Sequence, residues 1–390
     1  MTEPMLFSTI EIRGFTSRNR IAVSPMQQYA STDGLANDYH LVHLGRFALG
    51  GAGMVIAEAT AVEPCGRMSN ADLGLWCDQQ IEPLARIARF LKAYKSVPGI
   101  QLVHAGRKGA IRVPWLGLCP LTDEDRLRGN PPWPLVGPSR VAAGPGWQLP
   151  ANLSEEQLRA NIEAWRSATQ RAVAAGFEIV ELHGAHGYLL HSFLSPIANQ
   201  RSDSFGGDLN GRMRFPLAVV DAVRAELPAD RALFYRLSAL DGIEGGLTLD
   251  ECTIFVSELI AHGVDVVDCS SGGIISDRSI ETRLRRGFAF NTPYSRHLRK
   301  ACGGLVSTAG LIVDARQSEA ILQAGDADIV AMGRQLLAEP NWPHRARAEL
   351  CGEAFDDWHQ EAGWWLEKRA AELKRLASEG DTPMSRYEGR

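Results

Sequence analysis

The sequence predicts an α/β fold, a single (β/α)8 TIM barrel, on two observations. The first is a set of eight short apolar runs rich in β-branched residues. They are Ile21–Val23, Met54–Ala57, Ile100–Val103, Ile179–Leu182, Leu233–Leu237, Val264–Val267, Leu305–Ser307 and Ile329–Met332. The second is that helix-periodic segments lie between most of them: Tyr39–Gly50, Ile81–Tyr94, Glu155–Ala175, Gly211–Glu226, Thr248–His262, Tyr294–Cys302 and Ala315–Ala324. Ser154 ahead of Glu155 and Glu156, and Thr248 ahead of Asp250 and Glu251, are N-cap signals. Strands alternating with helices imply parallel pairing through crossovers, and eight such units close a barrel.

On this reading residues 1–340 form the barrel, and two regions break its beat. Residues 106–153, after the third strand, make a long loop rich in Pro, Gly and Trp, expected to be a lid or an interaction surface. Residues 341–390 form a C-terminal extension with Trp342, Trp358, Trp364 and Trp365, followed by a charged helix near 367–376. Its aromatics are expected either to cover the barrel floor or to meet a second subunit.

Composition narrows the function classes. At 390 residues, 45% hydrophobic and 22% charged, the chain can bury one large core. The 41 basic and 46 acidic residues are interspersed and give a net charge of −5, so neither a nucleic-acid face nor a polybasic membrane anchor is expected. No basic region followed by an apolar core opens the chain, and no run approaches a membrane span; a cytoplasmic protein without a secretion signal is expected. The seven cysteines contain no Cys-x-x-Cys pair, which argues for reduced thiols over a disulfide frame or an iron–sulfur cluster.

In such a barrel the reactive residues lie at the carboxyl ends of the strands. The densest group there is Glu181-Leu-His-Gly-Ala-His-Gly-Tyr188. His183 and His186 can both hydrogen-bond one small polar ligand, and the Tyr188 phenol can deliver a proton. The plainer alternative is that one histidine satisfies local backbone while the tyrosine packs. Other strand ends carry Ser24-Pro-Met-Gln-Gln-Tyr29, Glu58-Ala-Thr60, Gln101, His104-Ala-Gly-Arg-Lys108, Arg236, Asp268-Cys-Ser-Ser-Gly-Gly273, Gly310 and Gly333-Arg334. Gly310, Gly333 and Arg334 fit the phosphate site that barrels build from their last two loops. Arg236 within a strand needs a partner, either an electron-rich ring edge or a carboxylate such as Glu181. A structural hydrogen bond accounts for any one of these residues alone. Together they suit a cofactor with a phosphate and a polar ring edge. No metal site is expected, because the ligands for a metal-dependent hydrolase are too few; a Schiff-base aldolase would have only Lys108 to use.

With these motifs in view, the chain resembles the Old Yellow Enzyme family of FMN-dependent ene-reductases from about Leu6 to Trp365. Further marks of the resemblance are His40-Leu-Val-His-Leu-Gly45, Ala105-Gly-Arg-Lys108, Phe193-Leu-Ser-Pro196 and Asn199–Gly207. Pro114-Trp115 and the Trp-rich tail resemble the xenobiotic reductase and thermophilic-like branch. The resemblance implies non-covalent FMN, with NADPH or NADH as reductant. It implies that Arg18-Asn-Arg20 and Ser24, Pro25 and Met26 open the flavin site, with Gln27 beside them, and that Ala59, Gln101 and Arg236 line the flavin ring. Ser270, Gly310, Gly333 and Arg334 would hold the phosphate. His183 and His186 would bind the oxygen of an enone-type small molecule, Tyr188 would protonate it, and Tyr29 and Trp365 would wall the pocket. In that branch a C-terminal aromatic reaches an active site, in some members that of the neighbouring subunit, so a homodimer or larger homo-oligomer is expected.

This chain departs from the pattern at three places. Gln27 stands where the branch usually has cysteine, Gly211-Arg212 replaces Asn-Arg, and Gly287-Phe-Ala289 replaces Gly-Tyr-Gln. The alternatives kept open are a flavin-dependent oxidation, such as desaturation or demethylation, and a flavin-binding protein without ene-reductase turnover.

Overall fold

The apolar runs become strands because both of their faces are buried, one in the barrel lumen and one beneath helices. The computed structural model describes residues 3–277, 282 and 284–385. Its strands are β1 (Ile21–Val23), β2 (Met54–Ala61), β3 (Val97–Val103), β4 (Ile179–Gly184), β5 (Ala232–Ser238), β6 (Val266–Ser270), β7 (Leu305–Thr308) and β8 (Ile329–Met332). They follow one another in chain order around a closed barrel. Every neighbouring pair is parallel, and β8 closes onto β1 in the register Val330–Ile21 to Met332–Val23. The eight-unit reading is the fold observed.

The crossover helices are α1 (Asp38–Leu49), α2 (Ile81–Ala93), α3 (Glu155–Ala174), α4 (Leu209–Glu226), α5 (Leu249–Ala261), α6 (Thr292–Cys302) and α7 (Ala315–Gln323). The expected caps form: Gln157 N–H donates to the Ser154 hydroxyl at 3.3 Å, and Glu251 N–H to Thr248 at 3.2 Å. The strand ends shift by a few residues. β3 starts at Val97, before Ile100, because Pro98 and Gly99 look like a turn in the sequence yet lie inside the barrel. A Cβ on Gly99 would lie 3.0 Å from Ile56 and 3.2 Å from Ile179, so the inner packing leaves room for hydrogen only.

Period-two alternation divides the lumen into two layers. Toward the amino ends, Met54, Ile56, Val97, Ile179, Phe234, Val266 and Ile329 pack together and are almost fully buried. A hairpin that periodicity does not reveal, Ile10–Ile12 with Phe15–Ser17, plugs this end with Ile10 and Ile12. Two residues farther along the same strands the inward positions turn polar: Gln101, Glu181, Arg236 and Asp268.

The long loop carries the short helix Asp123–Leu127 and a two-residue parallel pairing of Val136–Gly137 with Ala151–Asn152. The charged tail helix spans Gln360–Ser378. Its approach, with Trp358 stacked on His344 at 3.9 Å, lines one cavity together with Ala48, Leu49, Ala93 and Tyr94 at the carboxyl ends of α1 and α2. The tail therefore sits at the barrel floor. Trp342 is fully buried and donates to the Val313 carbonyl at 2.9 Å. Among the described residues no helix is long and apolar enough to cross a membrane.

Candidate active site

β4 ends in His183 and Gly184, and the chain then reverses through His186, whose φ of 59° is left-handed, and Gly187, with φ 80°. The turn is held from several sides. Ser238 on β5 accepts the His186 N–H at 3.1 Å and donates to the Gly272 carbonyl at 2.7 Å. Lys108 Nζ donates to the carbonyls of His186 (2.9 Å) and Gly273 (2.5 Å). Gly187 N–H donates to His191, whose other nitrogen meets Asp241 at 2.9 Å in a fully buried pair. These contacts fix a backbone conformation that a β-branched or bulky side chain resists.

The turn brings the predicted trio together. His186 Nδ1 lies 3.4 Å from His183 Nε2, and the two rings are perpendicular with centroids 5.1 Å apart. The Tyr188 ring stands edge-on to His183 at 4.7 Å. Among the described residues its hydroxyl meets only Met68 Sδ, at 2.7 Å, a weak acceptor that gives it up readily. Burial pushes both imidazoles well below their usual range, and the Arg236 charge adds to this, so both rings are neutral. Burial also raises the Tyr188 phenol, with Tyr29 and Asp72 adding to it, so it keeps its proton at neutral pH. Two neutral hydrogen-bonding rings beside one retained acidic proton can hold an oxygen and protonate a neighbouring carbon.

Arg236 finds its partners in Ser24, whose hydroxyl accepts at 2.9 Å, and in Asp268 at 3.3 Å. The carboxylate partner is Asp268 and not Glu181. Asp268 pairs in register with Arg236 across β5 and β6, while Glu181 lies opposite Gln101, which donates to it at 2.7 Å. Burial and the nearby Asp268 raise the Glu181 carboxyl. Several buried polar atoms here have no hydrogen-bond partner among the described residues: Gln27 Nε2 and Oε1, Glu181 Oε2, Asp268 Oδ1 and Thr308 Oγ1. Each costs free energy unless a ligand meets it.

At the last two strands, Gly310 has φ 120°, and a Cβ there would strike Phe290 at 2.9 Å. Gly333 precedes the short helix Arg334–Ala338, and the Arg334 guanidinium has no hydrogen-bond or ion-pair partner among the described residues. Glycine backbone with an unpaired guanidinium suits a phosphate.

The remaining predicted residues fall as follows. Pro25, Met26 and Tyr29 lie half-buried on the loop after β1, Tyr29 edge-on to Trp115 at 5.9 Å. Ala59 is buried in a small cluster with Met68 and Val103, against which Tyr188 packs. Ser270 closes β6 and meets His186 at 2.7 Å. Arg18 and Arg20 bind carbonyls at the floor, of Ala48 and Asp328 for example, away from the cavity mouth. Trp365 is not gathered with the trio. It is 67% exposed on the floor-side helix, stacked edge-on against Trp364 at 4.6 Å.

Sequence reasoning passed over Met68, Asp72, Ser238 and the His191–Asp241 pair. Asp72 is fully buried and accepts from Met68 N–H, Ser69 N–H and Ser69 Oγ, which shapes the loop that carries Met68. Ser69 three residues before an aspartate was the available signal. A second trio, Glu63, Cys65 and His104, has ligand-type atoms within 4.8 Å of one another. Gly106 N–H donates to His104 Nδ1 at 3.0 Å, which leaves the ring proton on Nε2, pointing at Glu63 2.9 Å away. That protonation makes a hydrogen-bonded set in place of a metal ligand.

The chain matches the model of the NADH:flavin oxidoreductase / NADH oxidase family over residues 5–353. It belongs to this family, that of the Old Yellow Enzymes. It is 35% identical over 364 residues to the NADPH dehydrogenase of Geobacillus sp. (strain WCH70), covering 93% of this chain and 99% of that one. Among solved structures it is similar to morphinone reductase, with a TM-score of 0.72 and 26% identity over 89% of this chain and 90% of that one. An Old Yellow Enzyme homologue from Zymomonas mobilis shares the fold, with a TM-score of 0.73 at 22% identity over 92% of this chain and 97% of that one. The Old Yellow Enzyme family uses FMN with NAD(P)H as reductant, and the unpartnered polar atoms of Gln27, Glu181 and Asp268 suit such a flavin.

Proposed function

We propose that this NAD(P)H-dependent flavin oxidoreductase reduces the activated C=C bond of α,β-unsaturated carbonyl compounds. The observation that carries the proposal is the pairing of His183 Nε2 and His186 Nδ1, 3.4 Å apart, with the Tyr188 ring against His183. FMN, when bound, would supply the hydride chemistry that links the nicotinamide to the β-carbon of the alkene. Gln27, Gln101, Ala59 and Arg236 would line its ring, and Gly310, Gly333 and Arg334 would hold its phosphate.

The side chains do the rest. His183 and His186 orient the carbonyl oxygen and stabilise the negative charge that develops on it, donors placed before the charge appears. Tyr188 releases its proton to the α-carbon, a step favoured because its hydroxyl rests on a thioether. His183 is 5% exposed, so the oxygen it would hold lies away from bulk water.

Anaerobic stopped-flow tests the proposal in two halves. The flavoprotein should be reduced by NADPH or NADH, then reoxidised rapidly by enones such as 2-cyclohexenone. Reduction by a nicotinamide with no reoxidation by any member of an enone panel would leave the oxidoreductase and remove the ene-reductase.

A further inference from the structure

His183, His186 and Ser270 form a chain of hydrogen bonds whose proton positions are partly determined by geometry. Ala185 N–H donates to His183 Nδ1 at 3.3 Å, so the neutral His183 ring carries its proton on Nε2. That proton faces His186 Nδ1 at 3.4 Å, which must then accept, and His186 carries its own proton on Nε2 toward Ser270 Oγ at 2.7 Å. Ser270 accepts in this arrangement.

The same heavy atoms permit a second arrangement. If a substrate oxygen lies between the two rings, both must donate to it, so His186 must carry its proton on Nδ1. Its Nε2 then presents a lone pair to Ser270, which must donate. A hydroxyl can do either, because it holds one proton and two lone pairs and can rotate. The remainder of His186 has no such freedom. Its backbone N–H is taken by Ser238, its carbonyl by Lys108, and Gly273 packs so closely that a Cβ there would lie 2.8 Å from His186 Cα. With the backbone held and the ring meeting His183 on one side and Ser270 on the other, the site of the proton is what can change.

We propose that Ser270 is a positioning residue that sets the His186 tautomer, turning from acceptor to donor when a carbonyl or phenol oxygen lies between the two imidazoles. The proposal rests on the reading that His183 and His186 hold the substrate oxygen. Neutral imidazole tautomers interchange through water before the ligand closes the pocket, so no net proton is gained or lost. Without the hydroxyl, the donor form of His186 leaves a buried lone pair unpaired, and the acceptor form turns a lone pair toward the ligand oxygen.

The test uses the FMN-loaded full chain, with 4-hydroxybenzaldehyde as the oxygen probe. Ser270→Ala should weaken probe binding in an absorbance titration by about tenfold to a hundredfold, the span expected when a buried polar atom loses its partner. Ser270→Thr, which keeps the hydroxyl, should restore it. Long-range ¹H–¹⁵N spectra of the histidine rings should show the His186 proton moving from Nε2 to Nδ1 on probe binding in the wild type, and failing to do so fully in Ser270→Ala. Unchanged probe affinity in Ser270→Ala, or no tautomer change in the wild type, overturns the proposal. FMN affinity, measured alongside by equilibrium dialysis, separates the two roles of this serine. Loss of FMN with normal probe binding at saturating FMN assigns Ser270 to the phosphate and ends the tautomer role. His183→Ala supplies the control: if it too binds the probe normally, the substrate-oxygen reading has failed, and not Ser270 alone.

Discussion

The two layers of the barrel lumen are built from the same eight strands and differ in what they leave unfinished. In the lower layer Met54, Ile56, Phe234 and their neighbours fill the space with carbon and are sealed by a hairpin. In the upper layer Glu181 and Asp268 hold buried polar atoms without a hydrogen-bond partner among the described residues, as does Gln27 on the loop above it. A protein interior tolerates such atoms only where something else completes them. The difference separates what the fold needs from what the cofactor and substrate need, although the two layers are only two residues apart along a strand. Substitutions in the lower layer should therefore act on stability, and those in the upper layer on binding and rate.

The largest expected effect is on rate. Tyr188→Phe removes the proton donor and keeps the ring against His183, so reoxidation of the reduced flavin by enones should slow by about 10²–10⁴-fold. Reduction by the nicotinamide should stay close to wild type, because no proton from Tyr188 enters that half. Single-mixing stopped-flow of each half-reaction checks the split. Slowing of the reductive half alone would refute the proton-donor assignment.

Phe234→Ala makes the opposite prediction one layer below. Phe234 is 1% exposed inside the apolar cluster, so its truncation should cost about 3–5 kcal/mol of stability by denaturant unfolding. The flavin absorbance spectrum of the folded fraction should be unchanged. If Phe234→Ala altered enone kinetics more than stability, the division of the lumen into two roles would be wrong.

Much of this division was legible in the sequence. Strand alternation places Glu181 and His183 on one face and Val180 and Leu182 on the other, and the His-x-x-His-x-Tyr spacing survives folding as a cluster. The floor hairpin was hidden because three-residue strands are too short to show a period. The Asp268–Arg236 pair was hidden because it joins neighbouring strands, and a choice between Asp268 and Glu181 depends on register, which only the closed sheet supplies. Likewise, Met68 as the Tyr188 partner comes from a loop whose path follows from Asp72, not from any spacing.

Arg334→Ala addresses the upper layer at the phosphate end. The guanidinium has no partner to lose among the described residues, so folding stability should hold, and the effect should fall on FMN. A charge-assisted contact of this kind contributes about 1.5–3 kcal/mol, so the dissociation constant should rise by roughly ten- to a hundredfold or slightly more. Equilibrium dialysis measures it, and full FMN occupancy at low micromolar flavin would move the phosphate elsewhere.

The smallest expected effect comes from Trp365. The family resemblance implies that it walls a substrate pocket, yet its helix lies at the floor, beside the carboxyl ends of α1 and α2, with Trp364 and not Trp365 facing the cavity between them. No path within one chain brings its indole to Tyr188, which stands at the opposite mouth of the barrel. A contact with substrate would therefore have to be made in a second copy, at whose barrel mouth the exposed indole would sit. Trp365→Ala should leave unfolding free energy within about 0.5 kcal/mol of wild type, as for an exposed side chain with one edge-on neighbour. If the chain self-associates through this tail, the Michaelis constant for planar enones should rise a few-fold, about the 0.5–1.5 kcal/mol of one aromatic contact. Native mass spectrometry and enone kinetics on the same sample decide the matter. A monomer with unaltered kinetics leaves Trp365 a surface residue, while a dimer with a raised Michaelis constant extends the upper layer across two chains.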